Sequence, residues 1–152
     1  MRPKTLCVNQ TLFIHQHPEA PVEIREIIDR YYECVNAGDW DRWMTLFADD
    51  VIGDEQLAGH FEGINTLKGA GDGIKKGYSQ FLMIPQHIII DGYNAAVIWR
   101  CIAANAKKVP IAYPNDPARP VVGANYFEVH DGKITYMRTI HDSLPFGPFL
   151  NQ

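Results

Sequence analysis

The stretch that decides the fold is VEIREIIDRYYECVNAGDWDRWMTLFADDV, residues 22–51. Its first half carries Ile24, Ile27, Ile28, Tyr31, Cys34 and Val35 at three- and four-residue steps, the spacing of one apolar helix face. Asn36-Ala37-Gly38 stops that helix, and Asp39 is placed to cap the next one by accepting a backbone N–H. Trp40, Trp43, Met44 and Phe47 give the second helix its apolar side, and it ends before Asp49-Asp50. Val51 to Glu55 is short and reads as a strand.

Downstream the pattern weakens and then changes period. Ile64, Leu67, Ile74 and Tyr78 keep helical spacing, but glycines at 63, 69, 71, 73 and 77 interrupt it. Each interior glycine costs about 1 kcal/mol against alanine, so a short or broken third helix is expected. After Tyr78, residues 81–84, 87–90, 95–103, 121–129 and 134–141 read as strands. Asp91-Gly92 and Asp131-Gly132 are turn dipeptides, the second joining two strong strands as a hairpin. The polar run between Asn105 and Pro120 holds Pro110, Pro114, Pro117 and Pro120. It reads as an excursion at one end of the sheet or a lid, with residues 107–120 covering a pocket or meeting a second subunit. Helices first and strands afterwards is the order of an α+β domain, with helices on one side of a mainly antiparallel sheet. Residues 1–20 read as an arm, 21–145 as the domain and 146–152 as a tail.

Composition narrows the class. The 152 residues are 46% hydrophobic and 21% charged, enough to build one core without disulfides or a structural metal. Fourteen Lys and Arg against 18 Asp and Glu leave a net charge of -4, which offers nucleic acid or an anionic membrane no electrostatic purchase. No stretch is apolar enough to span a bilayer. Cys7, Cys34 and Cys101 are odd in number and far apart, and read as free thiols, two of them in the core. Asn9, Gln10, His15 and His17 break any signal-peptide core, so a cytoplasmic protein is expected.

Several side chains carry possible chemistry. Asp54-Glu55 follows Val51-Ile52, and strand alternation sends only one of the two carboxylates to the core side. There its pKa would rise and it would serve as a general base; both also fit a solvated strand end. His141-Asp142 closes the final strand as an acid/base candidate, although neighbours on a strand face opposite ways. His15, His17 and His60 lack the spacing of a zinc motif, and His87 and His130 read as surface positions, so no metal is expected. Gly69-Ala-Gly71-Asp-Gly73 fits neither phosphate-binding glycine pattern, and neither Ser79 nor Ser143 sits in GxSxG.

Two sets of phrases carry a resemblance. RYYECVNAGD at 30–39 runs on to LFADDV at 46–51, GHFEGI follows at 59–64, and GANYFEVHDGKI returns at 123–134. Over residues 22–142 the chain resembles the nuclear transport factor 2-like fold, in its SnoaL-like polyketide cyclase and ketosteroid isomerase branch. The resemblance implies a cone-shaped curved sheet wrapped around three helices, with a deep, mostly apolar pocket. Its families include isomerases, aldol cyclases, dehydratases, epoxide hydrolases and non-catalytic binding domains, so the fold alone names no reaction.

Residue by residue, the resemblance implies Tyr31 as an oxyanion donor and a carboxylate base at Asp54 or Glu55, with one residue of register open. Asn125 falls where the isomerase has a protonated Asp as second donor, and an amide donates without a perturbed pKa. The acidic residue of SnoaL-like cyclases falls on Asp142. Limonene epoxide hydrolases use Arg-x-Asp in a central strand; Arg100-Cys101-Ile102 lacks the acid, which disfavours that activity. Alternation adds a check: Asn125, Phe127 and Val129 share a face, and hairpin register puts Met137, Thr139 and His141 on it, with Asp142 outside. A bulge would reverse the last pair, so both stay open.

The expected function is cofactor-independent isomerisation, cyclisation or dehydration of a small, largely apolar carbonyl compound. Asp54 or Glu55 removes a proton next to the carbonyl, Tyr31 and Asn125 bind the enolate oxygen, and His141 or Asp142 reprotonates or orients. Trp43, Phe47, His60, Trp99, Phe127 and Met137 are the expected substrate contacts. The alternatives are a binding domain without turnover and a dimerisation scaffold whose pocket is filled by aromatic side chains. Relatives of this fold commonly dimerise through the open sheet face, and a homodimer is expected.

Overall fold

Helix α1 (Val22–Ala37) buries Ile24, Ile27, Ile28, Tyr31, Cys34 and Val35, the stripe that its sequence spacing marks out. A computed structural model describes residues 22–149; the expected arm, with Cys7, His15 and His17, lies outside the described residues. Asp39 caps α2 (Trp40–Met44) by accepting the Arg42 N–H at 3.1 Å. That helix is a single turn. Phe47, expected on its apolar side, instead opens strand β1 (Phe47–Glu55), where it pairs in parallel with Ile134.

Strand β2 (Gly59–Glu62) pairs antiparallel with β1, and α3 (Ile64–Gly77) follows. The third helix is continuous over 14 residues, not broken. Its glycines lose out to tertiary packing: Leu67 is buried, and Gly71 is buried beside the Trp40 ring.

The remaining strands are β3 (Tyr78–Asp91), β4 (Asn94–Asn105), β5 (Val121–His130) and β6 (Lys133–His141). Residues 81–84 and 87–90, expected as separate strands, form one strand with a register shift between Pro85 and His87. A 3-10 turn (Leu144–Phe149) closes the described chain. Asp131 (φ 50°) and Gly132 (φ 72°) both take the left-handed conformation that a tight β5–β6 hairpin requires.

The six strands form one curled, unclosed sheet in the order β2-β1-β6-β5-β4-β3. Every pairing is antiparallel except β1 with β6. That exception sets the last strand of the chain beside the first, so the ends of both arrive together. The helices pack against the inner face, where Val51, Val97, Trp99, Phe127, Val129, Ile134 and Met137 are buried. Asn36 ties α1 to β3, its carboxamide donating to Met83 O at 2.9 Å and accepting from Met83 N at 2.7 Å.

The proline-rich excursion folds back on the end of β4. Ile111 N donates to Ala103 O at 2.8 Å, and the Asn105 side-chain oxygen accepts from Lys107 N and Val109 N. Cys34 and Cys101 are free and buried. Among the described residues no helix is long and apolar enough to cross a membrane.

Candidate functional site

Between the inner face of the sheet and the helices lies a cavity of about 530 Å³. Its wall is largely apolar: Val35 of α1, Trp40 and Trp43 of α2, Leu67 and Ile74 of α3, Phe81 and Met83 of β3, Trp99 and Cys101 of β4, Met137 of β6 and Phe146. Tyr31, Tyr78 and Thr139 add hydroxyls, and Glu55, His60 and His141 are the ionisable acid and imidazole groups of the lining. No residue of the 107–120 excursion lines the cavity.

Glu55 and His141 meet on this wall. Glu55 stands at the end of β1 and is paired in register with Thr139; His141 lies two residues further along β6. The separation between His141 Nε2 and Glu55 Oε1 is 2.8 Å, with the imidazole side chain 6% exposed and the carboxylate 24%. The other carboxylate oxygen accepts the backbone N–H groups of Leu57 (2.7 Å) and Ala58 (2.6 Å), which close the turn after β1. His141 Nδ1 lies 3.2 Å from the carbonyl oxygen of Asp142. A carbonyl only accepts and an ionised carboxylate only accepts, so both ring nitrogens donate and the pair is imidazolium with carboxylate.

Burial opposes both charges, and the hydrogen bonds overcome it. Desolvation alone would raise Glu55, but His141, Ala58 N–H and Leu57 N–H hold it below the ordinary carboxylate value. Desolvation likewise would lower His141, yet Glu55 and the Asp142 carbonyl hold it above the ordinary imidazole value. Each group keeps the other ionised in an apolar wall.

The open choice between Asp54 and Glu55 is decided by direction. Asp54 faces away from the cavity into an outer network, accepting from Tyr136 Oη at 2.6 Å, Arg138 at 2.9 Å and His60 Nδ1 at 2.9 Å. Tyr136, then His60 and Arg138, depress its carboxyl far below the usual range, and its side chain is not part of the cavity lining. His60 sits at the rim between Asp54 and Glu62, and both partners raise its pKa. The choice between His141 and Asp142 is decided the same way. Asp142 is exposed and accepts the Leu144 N–H at 3.0 Å, capping the turn that follows.

The two expected oxyanion donors lie side by side, and the Asn125 carboxamide acts on the Tyr31 hydroxyl as a hydrogen-bond partner. Asn125 is buried on the inner face, as alternation requires, but does not line the cavity. The reason lies on the next strand. Trp99 pairs with Gly123, and a Cβ there would meet the indole at 2.4 Å, so only glycine lets the ring lie flat over β5. The Trp99 indole N–H donates to Asn125 Oδ1, and Asn125 Nδ2 donates to Thr139 Oγ1 at 2.9 Å. Asn125 thus links Trp99 to Thr139 directly beside the Tyr31 hydroxyl. Tyr31 does line the cavity; its hydroxyl donates to Met137 Sδ at 3.4 Å, and burial pushes its phenol far up, keeping it protonated.

Of the expected substrate contacts, Trp43, His60, Trp99 and Met137 line the cavity. Phe47 and Phe127 do not: they pack edge-on against the Tyr31 ring at 6.2 and 5.0 Å and form the layer beneath it. Two residues that sequence reasoning missed touch the pair. The Phe146 ring packs tilted against the His141 ring at 4.9 Å, and Gln56 binds the His141 backbone N–H. A signal for Gln56 existed in its place directly after Glu55; none marked Phe146, which looks like part of a tail. Among the described residues no three His, Cys, Asp or Glu side chains gather as a metal site.

Known proteins place this geometry in a family. No curated protein matches the chain. Among solved structures, an NTF2-like protein of unknown function from Burkholderia pseudomallei aligns with TM-score 0.74 at 11% identity, over 87% of this chain and 100% of that one. A candidate polyketide cyclase from Xanthomonas campestris pv. campestris aligns with TM-score 0.68 at 18% identity, over 86% and 96%. A candidate ketosteroid isomerase from Kribbella flavida aligns with TM-score 0.62 at 17% identity, over 79% and 78%. These identities establish a shared fold and no shared reaction. The SnoaL-like domain model matches residues 28–137, from the buried face of α1 to the inner face of β6, and the chain belongs to that SnoaL-like family.

Proposed function

We propose that this protein is an enzyme for a small, largely apolar carbonyl compound, moving a proton at the carbon next to the carbonyl. Isomerisation, cyclisation and dehydration share that enolate step, and the chemistry needs no cofactor. The observation that carries the reading is the Glu55–His141 pair in the wall of an otherwise apolar cavity. An ion pair holds both groups in their working forms, a deprotonated base beside a protonated acid.

Substrate would compete with Glu55 Oε1 for the His141 Nε2–H. The carbonyl oxygen takes the imidazolium hydrogen bond, and Glu55 accepts the adjacent C–H proton. The C–H electron pair moves into the new C=C bond, and the carbonyl pair moves onto oxygen as His141 protonates or hydrogen-bonds it. Return of the proton from Glu55 to another carbon isomerises the compound; delivery of that proton to a β-hydroxyl, which leaves as water while the enolate electrons form the second C=C bond, dehydrates it. Tyr31 supplies a second hydrogen-bond donor, its protonated phenol, in the same cavity.

The test is exchange of acidic C–H positions in D2O and turnover of model enones. Glu55→Gln should lose about 10²-fold or more of the wild-type rate. Asp54→Asn, altered on the outer face, should keep it. A Glu55→Gln protein as fast as wild type would overturn the base assignment. Compounds that bind without exchange in any variant would mark a binding domain of the same fold.

The outer face of the sheet supports a second proposal, a homodimer. Ile98, Ile102, Val122 and Ile140 are 39–56% exposed on three adjacent strands, with Ile98, Ala124 and Ile140 in one cross-strand row. Such an apolar row on the outer sheet face is a surface for a second copy of itself.

A further inference from the structure

Strand β1 ends before β6 does. Their parallel register runs out at Glu55 with Thr139, after which the chain of β1 turns away through Gln56, Leu57 and Ala58. His141 thus lies beyond the last backbone partner on that side, and its N–H faces a gap in the ladder. The Gln56 side chain fills it: Oε1 accepts the His141 N–H at 2.9 Å. The other end of the same carboxamide donates to Ser143 Oγ at 2.9 Å. Ser143 opens the turn in which its carbonyl accepts the Phe146 N–H at 3.0 Å, and this turn sets the Phe146 ring on the imidazole.

From this geometry we infer that Gln56 is the positioning residue of the acid–base pair. Its carboxamide substitutes for strand backbone, holding His141 at hydrogen-bond distance from Glu55 and pinning the C-terminal turn that roofs the imidazole. The two ends do different work. The acceptor oxygen fixes the backbone from which the imidazole projects, and the donor nitrogen fixes the cover that keeps water off it. Because Gln56 is the next residue after Glu55, one short segment carries both the carboxylate and the anchor for its partner. Movement of β1 relative to β6 would carry the base and the acid together.

The ionisable groups around the pair are few. Glu55 faces His141 from β1, the Asp142 carboxylate lies next in sequence on the outside, and the Tyr31 phenol of α1, the His60 imidazole of β2, the Tyr78 phenol of β3 and the Cys101 thiol of β4 line the same cavity. Gln56 itself carries no charge, so removing it changes position and solvation without changing the local charge count.

This role rests on reading the pair as acid–base machinery, but its test observes the pair directly and needs no substrate. Proton NMR of the whole chain, with histidine labelled at the ring nitrogens, should show a downfield, slowly exchanging Nε2–H for His141, absent in Glu55→Gln. Gln56→Met keeps the length and loses both hydrogen bonds. It should lose or broaden that resonance and let His141 titrate at lower pH, while circular dichroism remains that of the wild type. A folded Gln56→Met protein with the resonance and titration of wild type would overturn the inference. If Gln56→Met does not fold, Ser143→Ala releases only the donor end and should move both readouts the same way by less; no movement would overturn it. Loss of exchange activity in Glu55→Gln together with an unmoved pair in Gln56→Met would reject the positioning role and leave the proposed function standing.

Discussion

His141 is the residue on which sequence and structure differ least in location and most in meaning. Its alternation places it inside, but its partner is Glu55, 86 positions earlier, and not the neighbouring Asp142. The pair ties stability to pH with a definite sign. Glu55 is depressed, so its contribution is present above its unfolded value of 4.5 and is lost as pH falls through the folded value. His141 is raised, so its contribution is present below its unfolded value of 6.5 and is lost as pH rises through the folded value. The melting-temperature gap between wild type and His141→Gln should therefore be widest between pH 4.5 and 6.5 and narrow on both sides. A gap that stays constant from pH 4 to pH 9, or widens at the alkaline end, would contradict the ion pair. Rates of the proposed reaction should follow a bell, with the acid limb below 4.5 and the alkaline limb above 6.5, because the pair titrates as a unit.

At the scale of elements, β5 is shaped by what lies on it. Gly53 and Gly123 are both inner-face strand glycines without room for a Cβ: at Gly53 it would meet the Phe61 ring at 2.2 Å, and at Gly123 the Trp99 ring at 2.4 Å. Gly123→Ala should lift the indole off Asn125, break the buried hydrogen bond and destabilise the fold by roughly 1–3 kcal/mol. Denaturant unfolding measures the loss, and a shift in tryptophan emission reports the displaced ring; unchanged values in both would mean the strand absorbs the methyl. The helix caps behave more simply. Asp39→Ala should cost about 1 kcal/mol, since it removes the only side-chain acceptor at the start of α2. These elements were legible to different degrees. The α1 stripe, the Asp39 cap and the Asp131-Gly132 hairpin follow from local chemistry. The continuity of α3 and the entry of Phe47 into β1 do not, because packing partners distant in sequence outweigh local propensity there.

For the whole molecule, the decisive feature is a sheet that curls without closing. Its concave face is occupied by helices and the cavity, leaving the convex face with an apolar row and no cover among the described residues. The homodimer proposal makes that row the interface. Light scattering after size exclusion should give twice the chain mass, and Ile140→Lys with Ile98→Lys should give the monomer mass, since two buried charges on each copy remove the gain from apolar burial. A wild-type monomer at micromolar concentration would rule the interface out. The cavity should survive the substitutions, because Ile98 and Ile140 are not among its lining residues.

By itself the sequence determined the broad helices-then-strands order, the buried stripe of α1, the β5–β6 hairpin turn and the family phrases at both ends of the domain, but not strand β2. Those features depend on neighbours a few residues apart, and local spacing records them. It also brought six candidate catalytic side chains into view without choosing among them. The tertiary structure decides which way each of them faces, through contacts that no local pattern records. The parallel pairing of β1 with β6 set Glu55 beside His141 and turned Asp54 outward to Arg138, while Trp99, lying across Gly123, took the Asn125 oxygen as its hydrogen-bond acceptor. A side chain's chemistry is written in its type; whether it meets a cavity, a partner or water depends on the strand that folding brings alongside it.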